Sequence, residues 1–303
     1  ALFADAKPPL AWLRSSPAGH PLTVSRAAAG LRAAGTSAEV RPLILVLDLD
    51  ETLVRTKIQG VHKARKLVTE DFNVVINVNN GVPCSVSKRP GVGAFFDWIR
   101  ERRKEGLIEG PWLFGQGKKE YVEAVLSKLD PDREIFGDRL LTKEYCIQLQ
   151  TPWPWVVKDL ATVPIDKTAG DAKPGAAHVQ RMVLVDNFPV AATLCPGNTL
   201  MVRDWLGDDR PDREFARATA LLDSVIEGAR SGAGGRAPDD YAGRLVDAMP
   251  GHAELQRRLA TLKQFLDDGY QPGRGSVKDV LQQVWAESCE MKQVYLGLKP
   301  GEY

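Results

Sequence analysis

Residues 43 to 47, Leu-Ile-Leu-Val-Leu, form the most continuous apolar run of the chain, and the run stops at Asp48-Leu49-Asp50-Glu51-Thr52. Five apolar residues without polar interruption predict a strand buried on both faces, as in a parallel sheet covered by helices. In an open α/β sheet the functional crevice lies beyond the carboxyl ends of the strands, so Asp48 and Asp50 are expected to emerge there together. One carboxylate of such a pair can act as a nucleophile while the other handles a proton, because the two share a site yet point different ways. A divalent cation would screen their repulsion. Aspartates at a strand-to-helix turn also cap backbone N–H groups; the D-x-D-x-T spacing, completed by Thr52, is harder to explain by capping.

The rest of the chain supplies the alternation that such a sheet requires. Residues 71 to 91 alternate apolar and polar positions on both sides of Asn80-Gly81, a hairpin signal. A helix is expected from Gly91 to Gly106, a short strand at 111–115, a second helix at 118–129, and buried strands near 181–186 and 199–203. The order predicts a doubly wound parallel α/β sheet over 42–226 with a small β-hairpin insert. Residues 227–240, rich in Gly, Ala and Arg, are expected to form a linker, and 241–303 a helical C-terminal extension with Leu255, Leu259, Leu262 and Leu266 on one face.

Forty basic against thirty-nine acidic side chains leave a net charge of +1, so no general attraction to nucleic acid or to an anionic membrane is expected. No apolar run approaches the roughly 20 residues of a membrane span, so any membrane association is expected to be peripheral and through partners. Cys84, Cys146, Cys195 and Cys289 form no C-x-x-C pair, and the four histidines lack ligand spacing. Residues 1–41 contain Asp5 and Glu39 as their only acids among many Ala, Ser and Arg. That bias matches an N-terminal arm left after transit-peptide removal, or a poorly structured arm that wraps a partner. It leads to an expectation of an organellar address, mitochondrion before plastid, with the cytoplasm or nucleus as the alternative.

From Leu43 to about residue 226, several segments in the same order resemble the FCP/SCP branch of the haloacid-dehalogenase superfamily, protein phosphatases with a Rossmann-like fold. They are "VLDLDETLV" from Val46, "KRPGVGAFFDWI" from Lys88, "KEYVEAVLSKLDP" from Lys119, "VVKDL" around Lys158 and "VLVDNFPVAATLCPGNTLMVRDWLGD" from Val183. The resemblance implies Asp48 as the nucleophile that forms an aspartyl-phosphate, Asp50 as the acid/base and Thr52 as a brace for their loop. It implies Lys158 beside the transferred phosphoryl group, with Asp186 as the partner of Lys158. It also implies Mg²⁺ held by Asp48, the Asp50 backbone carbonyl and Asn187, and a phosphoserine or phosphothreonine protein or peptide as substrate.

The sequence departs from the family pattern in one place. Where the branch carries Ser or Thr after the second strand, this chain reads Phe114-Gly115-Gln116. The missing hydroxyl predicts a phosphatase weakened by one charge-assisted hydrogen bond, about 1.5 to 3 kcal/mol. The same homology domain occurs in the mitochondrial presequence-translocase receptor, which opens an alternative: a catalytically weak or inactive scaffold subunit whose partners are neighbouring subunits of an organellar complex.

Overall fold

The structure, a computed structural model, describes residues 40–60, 67–76, 81–148, 156–165, 176–209 and 211–249, together with 253, 256–257 and 259–260. The apolar run forms β1 (Leu43–Leu47), and the chain then makes an antiparallel sheet of β2 (Val54–Ile58), β3 (Phe72–Ile76) and β4 (Val82–Lys88). After it come α1 (Val92–Lys104), β5 (Ile108–Phe114), α2 (Lys119–Leu129), β6 (Leu140–Leu141), β7 (Ile147–Gln148) and β8 (Val156–Val157). The order closes with α3 (Ala176–Val179), β9 (Met182–Asp186), β10 (Thr199–Met201), α4 (Glu214–Ser231) and α5 (Tyr241–Ala248).

The central sheet is parallel throughout, in the order β10-β9-β1-β5-β6. From β1 the chain moves outward through β5 to β6, then returns to the other side of β1 for β9 and β10. That reversal makes the carboxyl end of β1 the switch point of a doubly wound sheet. The alternation of β1 divides the core in two. Leu43, Leu45 and Leu47 join a cluster that includes residues of α1, α2, α4 and α5, while Ile44 and Val46 pack with Trp112, Phe114, Leu141 and Leu160. This double burial explains why the run carries no polar residue.

The insert is a three-stranded sheet in the order β2-β4-β3. Its β3–β4 ladder pairs Ile76 with Val82; Asn80, expected in the turn, lies outside the described residues. The expected linker differs as well. Residues 227–231 continue α4, which ends at Gly232 in the left-handed conformation with φ +67°. Glu227, Ala229 and Arg230 in that stretch are good helix formers, and Ile226 and Ala229 pack into the core, so burial extends the helix past the composition boundary. Tyr241, Leu245 and Met249 of the following segment enter the same core, and the Tyr241 hydroxyl donates to the Arg41 carbonyl at 2.7 Å. Leu259 is buried there too, whereas Leu255, Leu262 and Leu266 lie outside the described residues.

Candidate active site

Asp48 follows β1 directly, with its backbone N–H on the Val185 carbonyl of β9 at 3.0 Å. The next residues turn tightly: Leu53 and Val54 both donate to the Leu49 carbonyl, and Glu51 takes φ +65°. A non-glycine residue in that region is held by its surroundings. Here the Glu51 carbonyl accepts from Trp205 N–H at 2.9 Å and from Arg89 Nη1 at 3.2 Å. Arg89, from the Lys-Arg-Pro-Gly segment, is fully buried; it also donates to the Thr52 and Arg203 carbonyls and pairs with Asp212. It therefore ties the loop after β1 to the segment between β10 and α4.

Lys158, one residue beyond β8, has no solvent exposure and donates from Nζ to Asp48 Oδ1 and Asp186 Oδ2, both at 2.6 Å. Asp186 ends β9, adjacent and parallel to β1, and its Oδ1 accepts from Phe188 N–H at 2.7 Å. Asp48 and Asp186 thus share one end of the sheet and one ammonium. Burial pushes the Asp48 carboxyl up to about 7; Lys158 opposes this, and Asp186 and Asp50 add to it. Burial works to lower the Lys158 ammonium, but Asp186 and Asp48 outweigh it and hold it above the ordinary lysine range. One cation between two buried carboxylates leaves the cluster short of positive charge.

Asn187 is held from several sides. Thr52 Oγ1 donates to its Oδ1 at 3.1 Å, and its Nδ2 donates to Asp204 Oδ1 and, at 3.4 Å, to Glu51 Oε2. Fixing the amide nitrogen on two carboxylates fixes which way the amide oxygen faces. Among the described residues no three His, Cys, Asp or Glu side chains gather as a metal nest, but the expected set needs only one carboxylate, one backbone carbonyl and one amide. Its all-oxygen chemistry and the shortage of positive charge at Asp48 fit a hard divalent cation.

Asp50 is half-buried, and its Oδ1 accepts from the Tyr121 hydroxyl of α2. Tyr121 Oη in turn lies 2.7 Å from Thr56 Oγ1 of β2. Burial and the neighbouring Asp50 hold the Tyr121 phenol well above its usual range, so it remains a donor.

Gly115, the residue after β5, is buried beside this loop. A Cβ built there would lie 3.6 Å from Val122 and 3.7 Å from Leu49, ordinary contact distances. Its backbone N–H, the one donor it retains, is taken by the Leu141 carbonyl at 2.9 Å. Gln116 is half-buried and does not fill its place in any described hydrogen bond.

A parallel sheet of this order, with an aspartate pair after the first strand and a buried lysine bridging to the aspartate of a neighbouring strand, defines a haloacid-dehalogenase-like phosphatase domain. The family model described as NLI interacting factor-like phosphatase matches residues 43–231, more than half of the chain, and the chain belongs to that family. A Dictyostelium discoideum protein named probable C-terminal domain small phosphatase is 30% identical over 184 residues, 60% of this chain and 50% of its own. The CTD nuclear envelope phosphatase 1 of Xenopus tropicalis is 27% identical over 190 residues, 62% of this chain and 68% of its own. A solved structure of Fcp1, an essential RNA polymerase II CTD phosphatase, aligns with a TM-score of 0.39 at 16% identity, covering 75% of this chain and 64% of that one. The chain spans about half the length of the Dictyostelium relative.

These relatives correct the expected address. The mitochondrial expectation rested on the composition of residues 1–41, whereas curated relatives from Xenopus and Drosophila are named for the nuclear envelope. Arginine and alanine richness with few acids is a bias shared by many solvated arms, so composition could not carry that assignment. Residues 1–39 lie outside the described residues. Among the described residues no helix is long and apolar enough to cross a membrane.

Three features of the site have no counterpart among the sequence-based candidates: Arg89, Tyr121 and the Glu51/Asp204 clasp on Asn187. Arg89 and Tyr121 stood in quoted segments, where they counted only as helix-start and helix residues. Their roles depend on contacts made across the fold.

Proposed function

We propose that the chain hydrolyses phosphoserine or phosphothreonine esters in protein or peptide substrates through an aspartyl-phosphate on Asp48, with turnover reduced by Gly115. The observation that carries this reading is the buried Asp48–Lys158–Asp186 bridge. The two carboxylates keep this buried ammonium charged, and a fixed positive charge beside Asp48 suits the stabilisation of phosphoryl oxygens during transfer. Membership of a phosphatase family supports the same chemistry.

In the first step an Asp48 oxygen attacks phosphorus, the bond to the seryl or threonyl oxygen breaks, and Asp50 gives that oxygen a proton. In the second, Asp50 takes a proton from water, whose oxygen attacks phosphorus and frees Asp48. Lys158 holds Asp48 in place and stabilises the phosphoryl oxygens, and Asp186 fixes Lys158. Thr52 braces Asn187 against the loop. Asp48, the Asp50 carbonyl and Asn187 would hold Mg²⁺, which when bound screens the phosphate charge.

The scaffold alternative keeps one observation in its favour, the bare end of β5 at Gly115. The two readings separate on purified chain with Mg²⁺, assayed on an aryl phosphate and on a phosphoserine peptide. Slow hydrolysis that Asp48→Asn removes is expected; equal rates in parent and variant would overturn the phosphatase reading.

A further inference from the structure

We propose that Tyr121 is a positioning residue for Asp50: its hydroxyl, itself held by Thr56, fixes the carboxyl so that the proton for the leaving oxygen is carried on Oδ2. The inference rests on the phosphatase reading above. It concerns the proton transfer that distinguishes a natural ester from an activated one.

Proton count fixes the direction of the chain. A phenol has a single hydrogen and a carboxylate has none, so the Tyr121 hydroxyl donates to Asp50 Oδ1 and accepts from the Thr56 hydroxyl at 2.7 Å. When Asp50 carries the proton destined for the leaving group, donation onto Oδ1 makes that oxygen the acceptor of the acid and leaves the proton on Oδ2. The proton then passes from Oδ2 to the seryl or threonyl oxygen as its bond to phosphorus breaks. In the second step Oδ2 takes the proton of the attacking water, and the Tyr121 hydrogen stays on Oη throughout.

The placement suits this role. Tyr121 lies in the first turn of α2 and is buried, and Thr56 belongs to β2 of the insert sheet, so the hydroxyl that holds Asp50 is itself braced by a second element. Asp50 sits on the loop that also carries Glu51 at φ +65°, and turning a carboxyl by one rotamer would redirect Oδ2 away from the substrate. The contact from Tyr121, itself braced by Thr56, makes that turn unfavourable. Asp48 has its own partner in Lys158, so the two carboxylates of the D-x-D pair are oriented by independent groups.

An alkoxide leaves only with a proton, whereas a dinitrophenolate leaves without one, so leaving-group dependence isolates the role. Single-turnover phosphorylation is measured for the parent chain, Tyr121→Phe and Thr56→Val across aryl phosphates from dinitrophenyl to phenyl. The expected loss in Tyr121→Phe grows along the series, from about twofold to about tenfold or more, in the rate constant and not in KM. Thr56→Val shows the same trend with a smaller slope, and it carries the test alone if Tyr121→Phe does not fold. An equal loss for every leaving group, or a change confined to KM, overturns the assignment while Asp48-dependent hydrolysis by the parent stands. Hydrolysis by the parent that survives Asp48→Asn overturns the phosphatase reading itself.

Discussion

The carboxyl ends of β1 and β5 lie side by side in the sheet, yet they are equipped unequally. At β1 each polar side chain after the strand has named partners: Asp48 with Lys158, Asp50 with Tyr121, Thr52 with Asn187. At β5 the strand is followed by Gly115, with no side chain and with its N–H on the Leu141 carbonyl. The contrast teaches that the side chains at the first end, with the buried ammonium beside them, stay assembled where the neighbouring end offers no side chain at all. Partners made at the first end do not depend on the second.

The largest expected effect breaks the equipped end. Asp48→Asn replaces the carboxylate of the proposed nucleophile by an amide, and turnover should fall by about a thousandfold or more. A loss below about tenfold would place the nucleophile elsewhere.

Lys158→Met should follow, because it leaves Asp48 and Asp186 buried with no cation between them. The expected cost is about 3 to 5 kcal/mol in denaturant unfolding. A cost under about 1 kcal/mol would mean that the bridge is solvated and that the two ends are less different than their contacts indicate.

Acidity offers a third test in chelator-treated protein. With the Asp48 carboxyl pushed up from an ordinary 3.8 to about 7, the folded chain keeps a proton that the unfolded chain has already released between those values. Stability contributed by this group is therefore lost as pH rises from about 4 to 7, with a slope of up to about 1.4 kcal/mol per pH unit. Asp48→Asn should flatten that part of the profile, and an unchanged slope would assign the proton to another group.

The smallest effect sharpens the bare end. Gly115→Thr has room at Cβ and no left-handed backbone to oppose it, and a restored hydroxyl should raise turnover about tenfold with metal binding unchanged. A stable variant without any gain would favour the scaffold alternative.

Much of the assembly at the equipped end was legible in the sequence because its side chains sit on short motifs. The run Leu43–Leu47 announces a doubly buried strand, and D-x-D-x-T, the lysine after Val157 and the Asp-Asn at the end of β9 are each readable at strand ends. Arg89 and Tyr121 were not legible as site residues, since a buried arginine and a helical tyrosine declare their partners only when separate segments meet: Arg89 with the loop 51–52 and residue 203, Tyr121 with residues 50 and 56. The C-terminal boundary failed for another reason. Gly and Arg content marked 227–240 as a linker, but Ile226 and Ala229 on the buried face carry α4 onward to Gly232.

The central claim, a phosphoryl group carried by Asp48, is tested most directly by trapping it. The chain is mixed with a phosphate ester and Mg²⁺, quenched in acid within one turnover, reduced with borohydride and read by peptide mass spectrometry. The account predicts conversion of Asp48 alone to homoserine, with no conversion in Asp48→Asn. Hydrolysis that proceeds with Asp48 unmodified, or modification at another residue, would contradict it.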